Sequence, residues 1–299
     1  MPFIKVGAIT RPGPTVMCMA FLADLSWPVA HLSAALVAPE VPDGTEVLGD
    51  QDRVYDLASV TKLLSAWAFL VAVEEGVFDL DQEVRPLVPT APAGATVRHM
   101  LAHASGVGFD SRTPQREVGQ RRIYSSAGFE ILADAVEAEA GMPFGHYAAE
   151  AVFAPLGMDA TEITGSAGHG GRSTVRDLVA FAGEVLNPRL LAEQTVQRAL
   201  EVHFPELGGV VPGYGMHKPC PWGLGFEVHG SKNPHWLGTA FPADTVGHFG
   251  QAGTFLWVHR PTRRAMVVLS DRAFGEWAKP LWQEDTARVW ALLEGKARA

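Results

Sequence analysis

A serine and a lysine three positions apart, Ser59 and Lys62, open an apolar stretch with helical periodicity. Residues i and i+3 of a helix share one face, so the hydroxyl and the amine come within hydrogen-bonding reach. A serine hydroxyl is a poor nucleophile until a base takes its proton, and a lysine can be that base only if burial or nearby positive charge lowers its pKa. The helix start also aims free N–H groups and the positive end of the dipole at an oxyanion forming on an acylating carbonyl. The chemistry within reach is therefore acyl transfer through serine. The pair alone is weak evidence: 12 serines and 6 lysines give about 0.2 such pairs by chance. Two later segments add weight. Tyr124-Ser125-Ser126 directly precedes a helical pattern, and Gly247-His248-Phe249-Gly250-Gln251-Ala252-Gly253 lies between two strand-like runs.

The elements that must hold these residues can be read from periodicity. His31–Ala38 and Thr45–Leu48, separated by the turn-rich Pro42-Asp43-Gly44, predict a hairpin. Val60, Leu63, Leu64, Trp67, Leu70 and Val71 predict an amphipathic helix from Ser59, closed by Gly76. Further helices are predicted at Thr96–Ala102, Ser126–Ala140, Pro143–Val152, Thr174–Leu186 and Leu191–Leu200, each bounded by Gly, Pro or a capping hydroxyl. Strand texture returns at Trp222–His229, Asp244–Gly250, Gly253–Arg260 and Ala265–Asp271, before a final helix from about Pro280 to Lys296. The implied fold class is α+β: an antiparallel sheet flanked by terminal helices, with an inserted all-helical lobe. Residues 1–57 and 205–299 would form the sheet lobe and 58–204 the helical lobe, with the site in the cleft between them.

Composition narrows the partners. A chain of 299 residues, 47% hydrophobic, buries enough surface for one large domain or two closely joined ones. Its net charge of −9 and the lack of any basic run longer than Arg121-Arg122 or Arg263-Arg264 argue against nucleic acid. The apolar stretch Met17–Ala38 is interrupted by Asp24, Pro28 and His31 and lacks a basic leader. It reads as core, neither a membrane span nor a signal, and the expected compartment is the cytoplasm. Cys18 and Cys220 read as two buried, reduced thiols, with no zinc or redox spacing.

Competing motifs fall on their chemistry. His99 and His103 have zinc-helix spacing, but Met100 stands where the glutamate belongs, so a capping or core role is expected. The glycines at 247, 250 and 253 lack the Lys-Ser/Thr ending of a phosphate loop. No G-x-S-x-G elbow occurs. Tryptophans such as Trp222, Trp236 and Trp257 are assigned mainly to core and cleft wall.

The ordered series Ser59-x-x-Lys62, Tyr124-x-Ser126 and His248-x-Gly250 resembles the three signatures of the class C β-lactamase and D,D-carboxypeptidase superfamily of serine hydrolases. Thr96–Gly106 resembles that family's TIRHLLTHTSGL segment, Tyr124–Gly141 its YSNxGYxLLGxIIExxxG helix, and Val175–Leu178 its SxxDLARF helix. The resemblance implies that Ser59 is acylated, Lys62 accepts its proton, and Tyr124 shares the transfer, best if cationic neighbours depress its pKa. Ser126 would line the cleft and bond Lys62 or the substrate, and His248 and Gly250 would form the strand edge. The backbone amides of Ser59 and Gln251 would make the oxyanion hole. Two positions depart from the pattern: Ser126 stands where Asn is usual, and Phe249 where a threonine hydroxyl helps grip a substrate carboxylate. A small neutral ester or amide is thus the expected substrate. No metal or cofactor is implied, and oligomeric state leaves no signature. The alternatives are an acyltransferase using the same acyl-enzyme and a catalytically silent ligand-binding protein on the same fold.

Overall fold

The computed structural model describes residues 20–295; Cys18 and the start of the Met17–Ala38 stretch lie outside the described residues. Its centre is a six-stranded antiparallel sheet built from β1 (Leu32–Val37), β2 (Thr45–Leu48), β3 (Glu227–Val228), β4 (Val246–Gly250), β5 (Thr254–His259) and β6 (Arg264–Ser270). The spatial order is β2-β1-β6-β5-β4-β3. The β1–β2 hairpin pairs Val37 with Thr45 and Ala34 with Leu48, as the turn residues predict.

The strand sequences are almost continuously apolar because both faces of the sheet are covered. Ala35, Leu256, Val258, Ala265, Val267 and Leu269 belong to one core, shared with the helices of the middle of the chain. Their neighbours Ala34, Leu36, Phe255, Trp257, Met266 and Val268 point the other way. There they meet Phe21 to Trp27 and the C-terminal helix through Trp282, Val289 and Trp290. Each such large side chain contributes roughly 1.5–3 kcal/mol on burial. The helices are α1 (Thr61–Glu74), α2 (Val97–Leu101), α3 (Ala127–Ala140), α4 (Phe144–Ala148), α5 (Val175–Leu186), α6 (Glu193–Leu200) and α7 (Ala278–Leu293). The helix predicted at Pro143–Val152 continues past α4 through a π-type turn, Ala149–Phe153, into Ala154–Leu156.

Two features depart from the periodicity. The segment expected to be all-helical, 58–204, also carries the short strands Gly171–Ser173 and Glu162–Ile163, which form a small antiparallel sheet with Tyr55–Asp56 from the segment before it. These strands of two or three residues are too short to show a period of two. The strand predicted at Trp222–His229 shrinks to Glu227–Val228. The chain before it turns at Gly225 (φ 85°), whose backbone presses so closely on α1 that an added Cβ would sit 2.2 Å from the Ala66 methyl. Among the described residues, no helix is long and apolar enough to cross a membrane. Cys220 is buried and free.

Candidate active site

Ser59 occupies a single 3-10 turn, Ala58–Val60, that leads into α1. Ala58 is held at φ 45°, a left-handed conformation that an L residue keeps only when its surroundings over-determine it. The constraints are visible on both sides. Leu57 N–H donates to Gly171 O (2.9 Å), and the Thr61 hydroxyl accepts from Gly171 N–H (2.9 Å). From the main sheet, the Thr254 hydroxyl donates to Leu57 O (2.9 Å). The turn is clamped between the small sheet and β5, which fixes where the serine hydroxyl points.

Lys62, one turn on, is fully buried. Its ammonium lies 3.4 Å from Ser59 Oγ and donates to Ser126 Oγ (3.0 Å) and Gly168 O (2.8 Å). It forms no salt bridge among the described residues, and burial pulls its pKa down to about 7, only partly opposed by Glu130. That satisfies the condition under which a lysine can act as a base near neutrality. Its Nζ also stands 4.6 Å from the centre of the Tyr124 ring.

The start of α3 explains why two serines follow Tyr124. Ser125, not Ser126, caps the helix: its hydroxyl accepts from Gly128 N–H (2.9 Å) and donates to Gly108 O (2.6 Å). Ser126 stands at the N-cap position yet makes no side-chain cap bond, which leaves its hydroxyl for Lys62. Gly168 closes the arrangement from the opposite side, and an added Cβ there would lie 2.7 Å from Ser126 Cβ.

Tyr124 is buried, and its hydroxyl makes no geometrically complete hydrogen bond. Burial drives the phenol pKa well above its ordinary value; Ser59 opposes this and Glu227 adds to it. The condition of cationic neighbours depressing the phenol pKa is not met here, because desolvation dominates. Around it stand the rings of His103 (4.9 Å between centroids), His248 (5.5 Å) and Trp222 (5.9 Å).

Strand alternation sorts the third segment. His248 pairs across from Leu256 and faces the helices, whereas Phe249 pairs across from Phe255. The Phe249 ring packs against Phe274 (4.9 Å), Tyr214 (5.8 Å) and Trp282 (5.9 Å), although the residue still borders the cavity. Phe249 therefore serves chiefly as a core residue on the far face. His248 Nδ1 bonds Phe249 O (2.6 Å), and burial, assisted by Lys62, lowers its pKa to about 4, so it is neutral. Gly250 brings the strand end against the nucleophile turn. A Cβ at this position would fall 2.2 Å from Leu57 O and 3.2 Å from Ser59 N.

The three sequence segments converge on a cavity of about 40 Å³, bordered among others by Ser59, Tyr124, His248 and Gln251, with Trp222 and Glu227 beside them. Through Phe109, Tyr124 and Pro212 it meets an outer groove of about 330 Å³. His99 does not join it: the ring closes the capping box of α2 with Thr96 and stacks on Phe204 (4.7 Å). Gly168, His103 and Glu227 are additions that sequence reasoning missed. Gly168 acts through its carbonyl, which leaves no residue-type signal, and Glu227 was hidden inside a segment read as strand.

Similarity to known proteins agrees with this geometry. The family model described as Beta-lactamase matches residues 41–287. A β-lactamase from Mycobacterium bovis is 47% identical, with 89% of this chain and 96% of that one covered and a TM-score of 0.84. A hydrolase with promiscuous acyltransferase activity shares the fold at 15% identity, with 88% of this chain and 94% of that one covered and a TM-score of 0.70. Penicillin-binding protein 4* of Bacillus subtilis (strain 168) is 25% identical over 139 residues, 38% of this chain and 31% of that protein, so the match spans about a third of that relative. An alcohol and a buried amine one turn apart, on a fold matched along most of its length, place the chain in the β-lactamase family.

Proposed function

We propose that this chain is a serine hydrolase that cleaves small, neutral esters or amides through an acyl-enzyme on Ser59. The observation that carries the reading is the Lys62 amine, buried, without a carboxylate partner among the described residues, and 3.4 Å from Ser59 Oγ. Lys62 takes the Ser59 proton as Oγ attacks the substrate carbonyl. The Ser59 and Gln251 amides receive the oxyanion. As the tetrahedral intermediate collapses, the bond to the leaving group breaks, and the proton returns to that group through Lys62 and the neutral Tyr124 phenol. Water then repeats the sequence on the acyl-enzyme and frees the acid. An alcohol or amine in place of that water would give acyl transfer, the activity named for one protein of the same fold.

Neutral substrates are favoured because nothing bordering the inner cavity offers a cation to a carboxylate. Purified protein is expected to hydrolyse p-nitrophenyl butyrate and to take up one equivalent of a fluorophosphonate probe, with nitrocefin a much poorer substrate. Absence of labelling and turnover would overturn the proposal in favour of a silent binding protein. Rapid nitrocefin turnover would overturn the substrate preference alone.

Gly250→Ala provides a geometric test. The new methyl cannot occupy its site without moving Leu57 O or β4, and either movement separates Ser59 from Gln251. Turnover of p-nitrophenyl butyrate is expected to fall on the order of 100-fold, the scale of a lost oxyanion donor. Stability should drop by about 1–3 kcal/mol, as for overpacked sites, measured by denaturant melts. Unchanged kcat would show that this contact does not set the site.

A further inference from the structure

Glu227 is the only carboxylate among the described residues bordering the cavity beside Ser59, and none of them is a lysine or arginine. It sits at β3, on the edge of the main sheet, paired across from Gly247 and 1% exposed. Three donors hold its carboxylate. His235 Nε2 lies 3.0 Å and Lys232 Nζ 3.3 Å from Oε1, and Trp236 Nε1–H donates to Oε2 (2.8 Å). The tautomer of His235 follows from its other nitrogen: Nδ1 accepts from Leu237 N–H (3.1 Å), so Nε2 carries the proton and donates. A carboxylate surrounded only by donors is ionised.

The lysine behind it cannot serve a ligand. Lys232 is itself buried, and besides Glu227 its ammonium donates to Pro221 O (3.1 Å) and Val228 O, which uses all three of its N–H groups. It lies 5.9 Å from the centre of the Trp222 ring. The pair is thus oriented with its negative end toward the cavity. His248, the other titratable residue of the strand edge, is neutral and directs Nδ1 to the Phe249 carbonyl.

We propose that Glu227 is a specificity-determining residue that bars carboxylate-bearing acyl groups from the cavity beside Ser59 and so selects neutral acyl donors. This rests on the hydrolase reading above and deepens it by assigning the charge preference to one side chain. A substrate carboxylate placed in this cavity would have to shed water next to a fixed negative charge, with no lysine or arginine among the bordering residues; Arg116 and Arg121 line the outer groove instead. Lys232 offsets part of the repulsion, which leaves an expected discrimination on the order of 10- to 100-fold in kcat/KM.

The test compares p-nitrophenyl hydrogen glutarate with its methyl ester, background hydrolysis subtracted, in the parent, Glu227→Gln and Glu227→Gln/Lys232→Met. The double variant removes the pair together, so that no uncompensated ammonium is left to attract anions, and circular dichroism monitors its fold. The parent should prefer the methyl ester by the stated factor, and the double variant should narrow the preference to within about threefold, the remainder of an electrostatic term once its source is gone. A parent ratio near one, or a ratio unchanged in the folded double variant, would overturn the assignment to Glu227. Failure of the parent to turn over even the methyl ester would instead overturn the hydrolase reading, and this inference with it.

Discussion

Ser59→Ala is expected to lower turnover of p-nitrophenyl butyrate on the order of 10⁴-fold or more and to abolish fluorophosphonate labelling, while leaving the fold intact. The size follows from losing the atom that forms the covalent intermediate; what survives is the binding and oxyanion contribution of the remaining cavity. Little structure depends on the hydroxyl. It contributes only the longest of the three Lys62 contacts, at 3.4 Å, and the backbone turn is held by Leu57, Thr61 and Thr254 instead. Stability should therefore change by less than about 1 kcal/mol. A variant that keeps full activity would show that some other nucleophile does the chemistry.

Lys62→Met should separate activity from stability. Turnover should fall by a factor on the order of 10³ or more, since no other group within reach of Ser59 Oγ is poised to accept its proton. In the parent, kcat/KM should rise with pH through about 7, the pH at which burial sets the amine to lose its proton. At pH 5 that leaves roughly 1% of the plateau rate. The stability sign is opposite to that of a salt-bridged lysine. Here the folded pKa lies below the unfolded one, so between about 7 and 10.5 the unfolded chain binds the extra proton and stability climbs with pH.

Near pH 7 the penalty of burying Lys62 is about 4 kcal/mol in the parent, and Met escapes it. Part of that gain is returned, because Ser126 Oγ and Gly168 O lose a donor, about 1–2 kcal/mol each. The variant should thus be modestly more stable at pH 7, with the difference shrinking and then reversing toward pH 10. Urea melts across that range would measure it. A stability difference that does not vary with pH would mean Lys62 keeps its proton when folded, and the proposed base would be lost.

Much of the architecture was legible in the chain because its signals are local. The β1–β2 hairpin announces itself through Pro42-Asp43-Gly44, α3 and α5 through apolar spacing and flanking hydroxyls, and the late strands through apolar runs between glycines. The small sheet around Gly171 was not legible, since its strands are shorter than any period. Nor could spacing assign the two serines after Tyr124: only the contacts of Gly108 and Gly128 show that Ser125 caps the helix and frees Ser126. Phe249 needed the strand register, because a one-residue step along β4 exchanges the cavity face for the aromatic core.

The sequence by itself determined which groups are available, in what order, and that Ser59 and Lys62 share a helical face, because one turn of helix has a geometry that neighbours can dictate. Tertiary structure decided how those groups behave. Lys62 owes its lowered pKa to full burial beneath α3 and the loop at Gly168, Tyr124 owes its raised pKa to burial among the rings of His103, Trp222 and His248, and Glu227 keeps its charge in spite of burial through Lys232, His235 and Trp236. Protonation depends on solvent exclusion and on charges brought close in space, and for residues as far apart in the chain as 62 and 168 no local pattern encodes either.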